Sequence, residues 1–358
     1  MDYRETELLT SKYVTANGVE LIDLNIADPV SRITVLSMPR AGSWPVLGHP
    51  AECFTKIEVV NGSDVLFGMS GVQADALDYY DNKRLSYRDM TYLQGANAIV
   101  AIHLNFGRYL FDPLLGLDPT RFKNLQLRLT HQFQAGGCTT DRLYFRVFAD
   151  LFDELRPDFQ GFLMSKEVEA VTITQLGNSY VDLPTDFPMR KIMLESRCDD
   201  DGPVDQYEYL KLVEDHDKRI LYDIDTYDLI RSYQGLYPLV TETAIFGGTT
   251  SLREVDVTPG HCIRGQVTGA TTFSTYGGFT PRNGCEGQCI LHQNDQGQIA
   301  VSGWCPHNAV PLLTGKQDEI ERWWKTEGIG SKRLLMRHGT GANTTPTVGV
   351  ITQQLRRY

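Results

Sequence analysis

The sequence has no apolar run approaching the roughly 20 residues that a bilayer span demands. Its N-terminus, MDYRETELLTSKYV, lacks the apolar core of a signal peptide. Together these set the expectation of synthesis and folding in a cytoplasm. Positive charge is also short: 34 Lys and Arg stand against 45 Asp and Glu, a net charge of −11. A protein that coats nucleic acid needs a cationic face, so that class is set aside. No H-E-x-x-H, G-x-S-x-G or Walker A loop is present, and Val310 stands where the loop ending in Gly315-Lys316 would need its first glycine. Gly339-Thr340-Gly341 lacks the third glycine of a dinucleotide loop. Nothing between residues 99 and 150 has the length and period of a crossover helix, which argues against a parallel βαβ architecture.

Disulfides are not expected either. Seven cysteines at irregular spacing fit free, mostly buried thiols of a reducing compartment. Cys285, Cys289, His292, Cys305 and His307, with His261-Cys262 upstream, are the one cluster of metal-ligating types. Their spacings, C-x3-C and C-x-H, depart from the usual C-x2-C pairing, and Cys289 and His292 on one strand would face opposite ways. The reading is therefore buried thiols near exposed histidines. No catalytic, cofactor-binding or metal residue is assigned. Asp199-Asp200-Asp201-Gly202 reads as a solvated turn rather than a hard-cation site. Trp304, Trp323 and Trp324 read as core or interface anchors rather than sugar platforms. A late helix is expected over residues 316–327, where neighbouring Trp323 and Trp324 would stand about 100° apart. They cannot both face one core, so one is expected to meet a neighbouring element or subunit.

What the chain does have is many short alternating runs separated by turns. FTKIEVVNGSDVLFGMSGVQADALDYY, Phe54 to Tyr80, reads as strand, Asn61-Gly62 hairpin turn, strand, then a helix capped by Ser70. The same grammar returns from Tyr209 to Tyr233. An ungapped match pairs Phe54 with Tyr209, Ile57 with Leu212, Val65 with Ile220, Met69 with Ile224 and the cap Ser70 with Asp225. Upstream, RITVL after Asp28-Pro29 echoes RKIML after Phe187-Pro188. Two matched blocks in one order indicate a tandem duplication of a β-rich unit. Further strands are expected at Val19–Ile26, Ile99–Phe106, Asn124–Phe133, Arg142–Phe148, Val168–Ile173 and Val348–Leu355, with a hairpin over Gln288–Ser302 turning at Asn294–Gly297. The fold class is mostly β: two tandem eight-stranded β-sandwiches with short helical insertions. Residues 1–18 are read as an N-terminal arm, 19–156 as the first sandwich and 157–358 as the second. Ile57, Val59, Val65, Phe67, Leu125, Leu127, Leu129, Leu212, Ile220 and Tyr222 are expected in the core.

These phrases, with IHLNFGRYLFDPLLGLDP and KNLQLRLTHQF in the first half and DLPTDFPMRKIMLES and YEYLKLVEDHDKRILYDI in the second, resemble the double jelly-roll major capsid proteins of tailless, membrane-containing icosahedral phages and viruses. One departure is that the IHLNFGR…NLQLRL block has no clear second-half counterpart. The resemblance implies a structural, non-enzymatic protein without cofactors. It also implies that each of the two sandwiches is an upright jelly roll, with homotrimers of pseudo-hexagonal outline and an icosahedral shell. Implied partners are neighbouring trimers, penton or minor capsid proteins and an internal membrane, with no sequence-specific nucleic-acid contact; the arm would face inward. The rival readings are a carbohydrate-binding or carbohydrate-active β-sandwich and a minor virion or spike protein.

Overall fold

The computed structural model describes residues 3–41, 48–135, 140–153, 157–197, 201–268, 278–282, 286–340 and 346–358. Of these, 41, 140, 246–254, 268, 278 and 286–296 are described by their backbone alone. Cys285 lies outside the described residues, as do the side chains of Cys289 and His292 and the acidic turn at Asp199-Asp200.

The expected hairpin is present, reversing at Gly62, whose φ of +65° a residue without Cβ adopts freely. The chain begins with strands β1 (Tyr3–Val14), β2 (Gly18–Asp23), β3 (Val30–Ala41), β4 (Phe54–Asn61) and β5 (Asp64–Met69). Helix α1 (Gly71–Asn82), β6 (Arg88–Tyr92), β7 (Ile99–Asn105), β8 (Leu125–His131) and β9 (Thr140–Phe152) follow. The chain continues through β10 (Phe162–Thr172), β11 (Asn178–Leu183), β12 (Met189–Arg197), a short α2 (Pro203–Gln206), β13 (Tyr207–Glu214), β14 (Arg219–Asp225) and α3 (Thr226–Tyr233). Four long or extra strands come next: β15 (Val240–Asp256), β16 (Pro259–Thr268), β17 (Gly278–Pro281) and β18 (Glu286–Pro306). It closes with β19 (Ala309–Leu313), β20 (Lys332–His338) and β21 (Thr347–Arg356).

Hydrogen bonding repeats one pattern twice. The first copy orders its strands β1-β9-β3-β7 and β5-β4-β8-β2; the second orders them β10-β21-β12-β19 and β14-β13-β20-β11. Each is a jelly roll with eight strands in two facing sheets. The copies also share their irregularities. The register skips a residue after Glu7 in β1 and after Glu167 in β10. It skips after Val30 and after Met189, after Phe54 and after Tyr207, and after Val59 and after Leu212. A bulge is set by backbone geometry and neighbouring strands. Its recurrence at matched positions marks duplication more sharply than residue identity does.

These skips correct the alignment. Phe54 corresponds to Tyr207, not Tyr209, whereas Val65 does correspond to Ile220. The turn between β13 and β14 is longer, with Asp215, His216 and Asp217 all at positive φ. A slip of two keeps side chains on the same face, so the expected core survived the error in β13. The missing counterpart also appears: Val310–Lys316, VPLLTGK, stands where Ile102–Arg108 stands, and β20 where β8 stands. β15 to β18, inserted between α3 and β19, displaced it from the constant offset.

Ile57, Val59, Phe67, Leu125, Leu127, Leu129 and Leu212 are buried as expected. Val65 and Tyr222 are only half-buried, and Ile220 is 46% exposed. The bulge beside each turn breaks the simple alternation, and β14 is an edge strand. The hairpin expected over Gln288–Ser302 is one continuous strand, β18, paired along β15; skips between Gly247 and Arg253 absorb the turn-prone residues as bulges. The helix expected over 316–327 is a single 3₁₀ turn, Ile320–Arg322. Met189 takes both backbone groups of Trp324, at 2.9 Å each, and that pairing overrides helix propensity. In the resulting extended backbone, neighbouring side chains face opposite ways. Trp323 packs with Leu115, Leu163 and Leu355, and Trp324 enters the core of the second copy. One tryptophan does meet a neighbouring element, since Leu115 belongs to the first copy.

Candidate assembly interface

Two lobes from one duplication must be fixed side by side before they can act as one body. Helix α1 does this. A capping box starts it: Ser70 Oγ accepts from the Gln73 N–H, and the Ser70 N–H donates to Gln73 Oε1 at 2.9 Å. Gly71 then passes so close to the chain that an added Cβ would lie 2.1 Å from the Ala51 carbonyl oxygen. Most of the helix is buried, and aspartates recur every third position, at 75, 78 and 81.

Each polar side chain of α1 has assigned partners. Gln73 reaches Glu167 and Glu195 of the second copy. Asp78 accepts from Asn105 at 2.7 Å and meets His103 at 3.0 Å within the first. Asp81 accepts from Arg190, from Lys191 Nζ at 2.6 Å and from Gln353 at 2.9 Å, all in the second copy. Burial alone would raise the Asp81 pKa, but the cations of Lys191 and Arg190 hold it below the usual carboxylate range. Burial pulls Lys191 down to about 8 despite that carboxylate. The Tyr80 hydroxyl donates to the Ala309 carbonyl at 2.7 Å.

Asp75 centres a second seam. Arg88 binds both its carboxylate oxygens at 2.9 and 3.0 Å, Ser86 donates at 2.9 Å, and His307 Nε2 lies 2.9 Å away. Arg88 continues to Glu242 at 3.3 Å and Thr258 at 2.6 Å. His307 is held at φ +50° by a bond from its N–H to the Thr258 carbonyl. Burial acts against the Asp75 charge, but Arg88 and His307 hold its pKa far below the ordinary value. Burial, with His307 and Arg88 nearby, drops the His49 pKa well below 6.5.

His49, Asp75 and His307 offer ligand atoms within 4.8 Å of one another. They do not suit a cation. His49 Nδ1 accepts from the Ala51 N–H at 3.2 Å, so the neutral ring carries its proton on Nε2, where a metal would have to bind. Arg88 already supplies the positive charge. The cluster is a lock between His49, Asp75 and Arg88 of the first copy and Glu242, Thr258 and His307 of the second.

Of the cluster named from sequence, His307 therefore joins Asp75 rather than a thiol. Cys305 is buried beside Tyr79, Tyr80 and Tyr237 around a cavity of about 20 Å³, and burial pushes its thiol far up in pKa, away from nucleophilic use. Cys53 is likewise free and buried, while Cys262 is free and exposed. Sequence reasoning missed Asp75 and Asp81. Their signal was the three-residue spacing of acids inside a helix whose other residues are mostly apolar or aromatic.

The lobes also share a sheet. β10 adds in parallel to β5, Ser165 opposite Phe67 and Lys166 opposite Gly68, giving the order β19-β12-β21-β10-β5-β4-β8-β2. Arg356 Nη1 clamps Asp64 across this joint at 2.9 Å. The expected arm is, over Tyr3–Val14, strand β1, bonded among the described residues to β9 alone.

Against solved structures, the STIV MCP, from a Sulfolobus turreted icosahedral virus, superposes with a TM-score of 0.62 at 10% identity, over 99% of this chain and 97% of that one. The major capsid protein of bacteriophage PM2 gives 0.56 at 9% identity, over 99% and 98%. The PBCV-1 virus capsid gives 0.56 at 10% identity, over 98% and 92%. The chain has the fold of the double jelly-roll major capsid proteins. Neither a protein-family model nor a curated protein sequence matches it.

Proposed function

We propose that this chain is a major capsid protein, a building block without catalytic role, that forms homotrimers and tiles an icosahedral shell. The observation that carries the reading is the duplicated jelly roll with its buried cross-lobe lock. It makes each chain two similar lobes held rigidly side by side, so three chains present six lobes in a pseudo-hexagonal outline. Full-length likeness to proteins named as viral major capsid proteins supports it. The chain would reside in the virion, with neighbouring trimers, penton or minor capsid proteins and an internal membrane as partners and no cofactor. The first jelly roll would take in residues through 156, including β1, and the second would begin at 157. The carbohydrate reading gains no support from Trp323 and Trp324, which are 2% and 4% exposed and offer no stacking face.

Native mass spectrometry and negative-stain microscopy of the purified chain test this. Three-chain particles of hexagonal outline are expected. A species that stays monomeric at high concentration would refute it.

A further inference from the structure

Within one chain, the open edge of the first jelly roll is closed by the first strand of the second: β10 lies on β5. The corresponding edge of the second jelly roll, β14, ends its sheet with no neighbour among the described residues. The corresponding first strand, β1, has β9 on one side and, among the described residues, no strand on the other. These two edges match, by the register skips, the pair already joined within the chain. Beside β14 runs an open groove of about 740 Å³, lined by Ile220, Tyr222, Arg322, Trp323 and Lys325. In the first copy the equivalent wall, Leu115 and Gly116, is covered by the segment leading into β10: Gly161 pairs with Leu115, and the Gln160 N–H donates to the Leu114 carbonyl.

From this we infer that β1 of one copy adds in parallel to β14 of the next. Glu7 corresponds to Glu167 and Val65 to Ile220, so Glu5 falls opposite Tyr222 and Thr6 opposite Asp223 of the second copy. Strand addition of this kind gains main-chain hydrogen bonds at both edges and hides two surfaces that otherwise invite aggregation. The contact is head-to-tail, so each copy offers one donor and one acceptor edge, and a ring results if the rotation closes. That ring is the trimer proposed above, and the inference rests on that reading while naming the surfaces that make it.

The test is a chain carrying both Thr6→Cys and Asp223→Cys, with each single variant as control for the native thiols. Opposed Cα atoms on neighbouring strands lie within disulfide reach. Mild oxidation should give a covalent three-chain species on a non-reducing gel from the double variant and not from the singles. Amide exchange on the unaltered protein is the second measurement, with residues 219–225 expected to be protected in the oligomer. Three chains by native mass spectrometry, with no cross-link and fast exchange in 219–225, would overturn this contact and leave the trimer standing. A single chain by mass spectrometry would overturn both.

Discussion

Removing the carboxylate of Asp81 tests whether the lobes are locked through α1. Asp81, Arg190 and Lys191 have side chains 1%, 3% and 1% exposed, and Asp81 is the shared acceptor of both cations. In Asp81→Ala the two cations face each other without a counter-charge in a dry site. Breaking a buried pair in this way costs about 3–5 kcal/mol. At about 2–4 °C per kcal/mol for domains of this size, the melting point should fall by about 6–20 °C. The cost also has a pH signature. Lys191 has its folded pKa lowered to about 8, against an ordinary value of 10.5. Below about pH 8 the folded chain carries that proton and needs Asp81. Above it the proton leaves, and only Arg190 still depends on the carboxylate. The loss should therefore be largest at pH 7 and smaller at pH 9, measured by thermal and urea unfolding of parent and variant side by side. A variant within about 1 kcal/mol of the parent at pH 7 would refute the lock, because an exposed pair costs no more than that.

Three other outcomes are expected. Leu127→Asp places a charge at a position with no solvent exposure in the first jelly roll, at a cost of several kcal/mol, and should abolish trimers by unfolding that lobe; soluble variant that still assembles would contradict the placement. Gly71→Ala should cost about 1–3 kcal/mol by forcing α1 off the Ala51 carbonyl, read as a lower melting point. His49 has its folded pKa lowered, so the unfolded chain takes up a proton below pH 6.5 that the folded chain refuses. Stability is full above that value and falls with pH at up to about 1.4 kcal/mol per unit. His49→Gln should flatten the slope of melting temperature between pH 6.5 and 5, and an unchanged slope would assign the acid sensitivity elsewhere.

The sheet architecture was legible because apolar alternation and turn chemistry are local. Leu125, Leu127 and Leu129 read as one face and are one face. Asn61-Gly62 and Ser70 name a turn and a cap without help from the rest of the chain. Legibility failed where a distant partner decides the backbone. Trp324 is extended because Met189 pairs with it, and nothing within residues 316–327 signals that. Asn294–Gly297 looks like a turn, but Gln296 and Gly297 pair with β15 and the strand runs on through a bulge, so the long insertion read as several short pieces. The lock was hidden for the same reason. Asp81 sits far in sequence from Arg190 and Gln353, and His307 was grouped with nearby cysteines although its acceptor is Asp75.

The placement of α1 bears on how the chain is made. Its acids and tyrosines are translated early, yet their counterparts at Arg190, Ala309 and Gln353 follow 109, 229 and 272 residues later. Until then the nascent first lobe holds a helix anchored through Asp75 and Asp78 but with Tyr80 and Asp81 lacking their partners. Consolidation must wait for β21, so a chain terminated before it would be not a smaller brick but an unfinished one, open to proteases along the surface where its other half belongs.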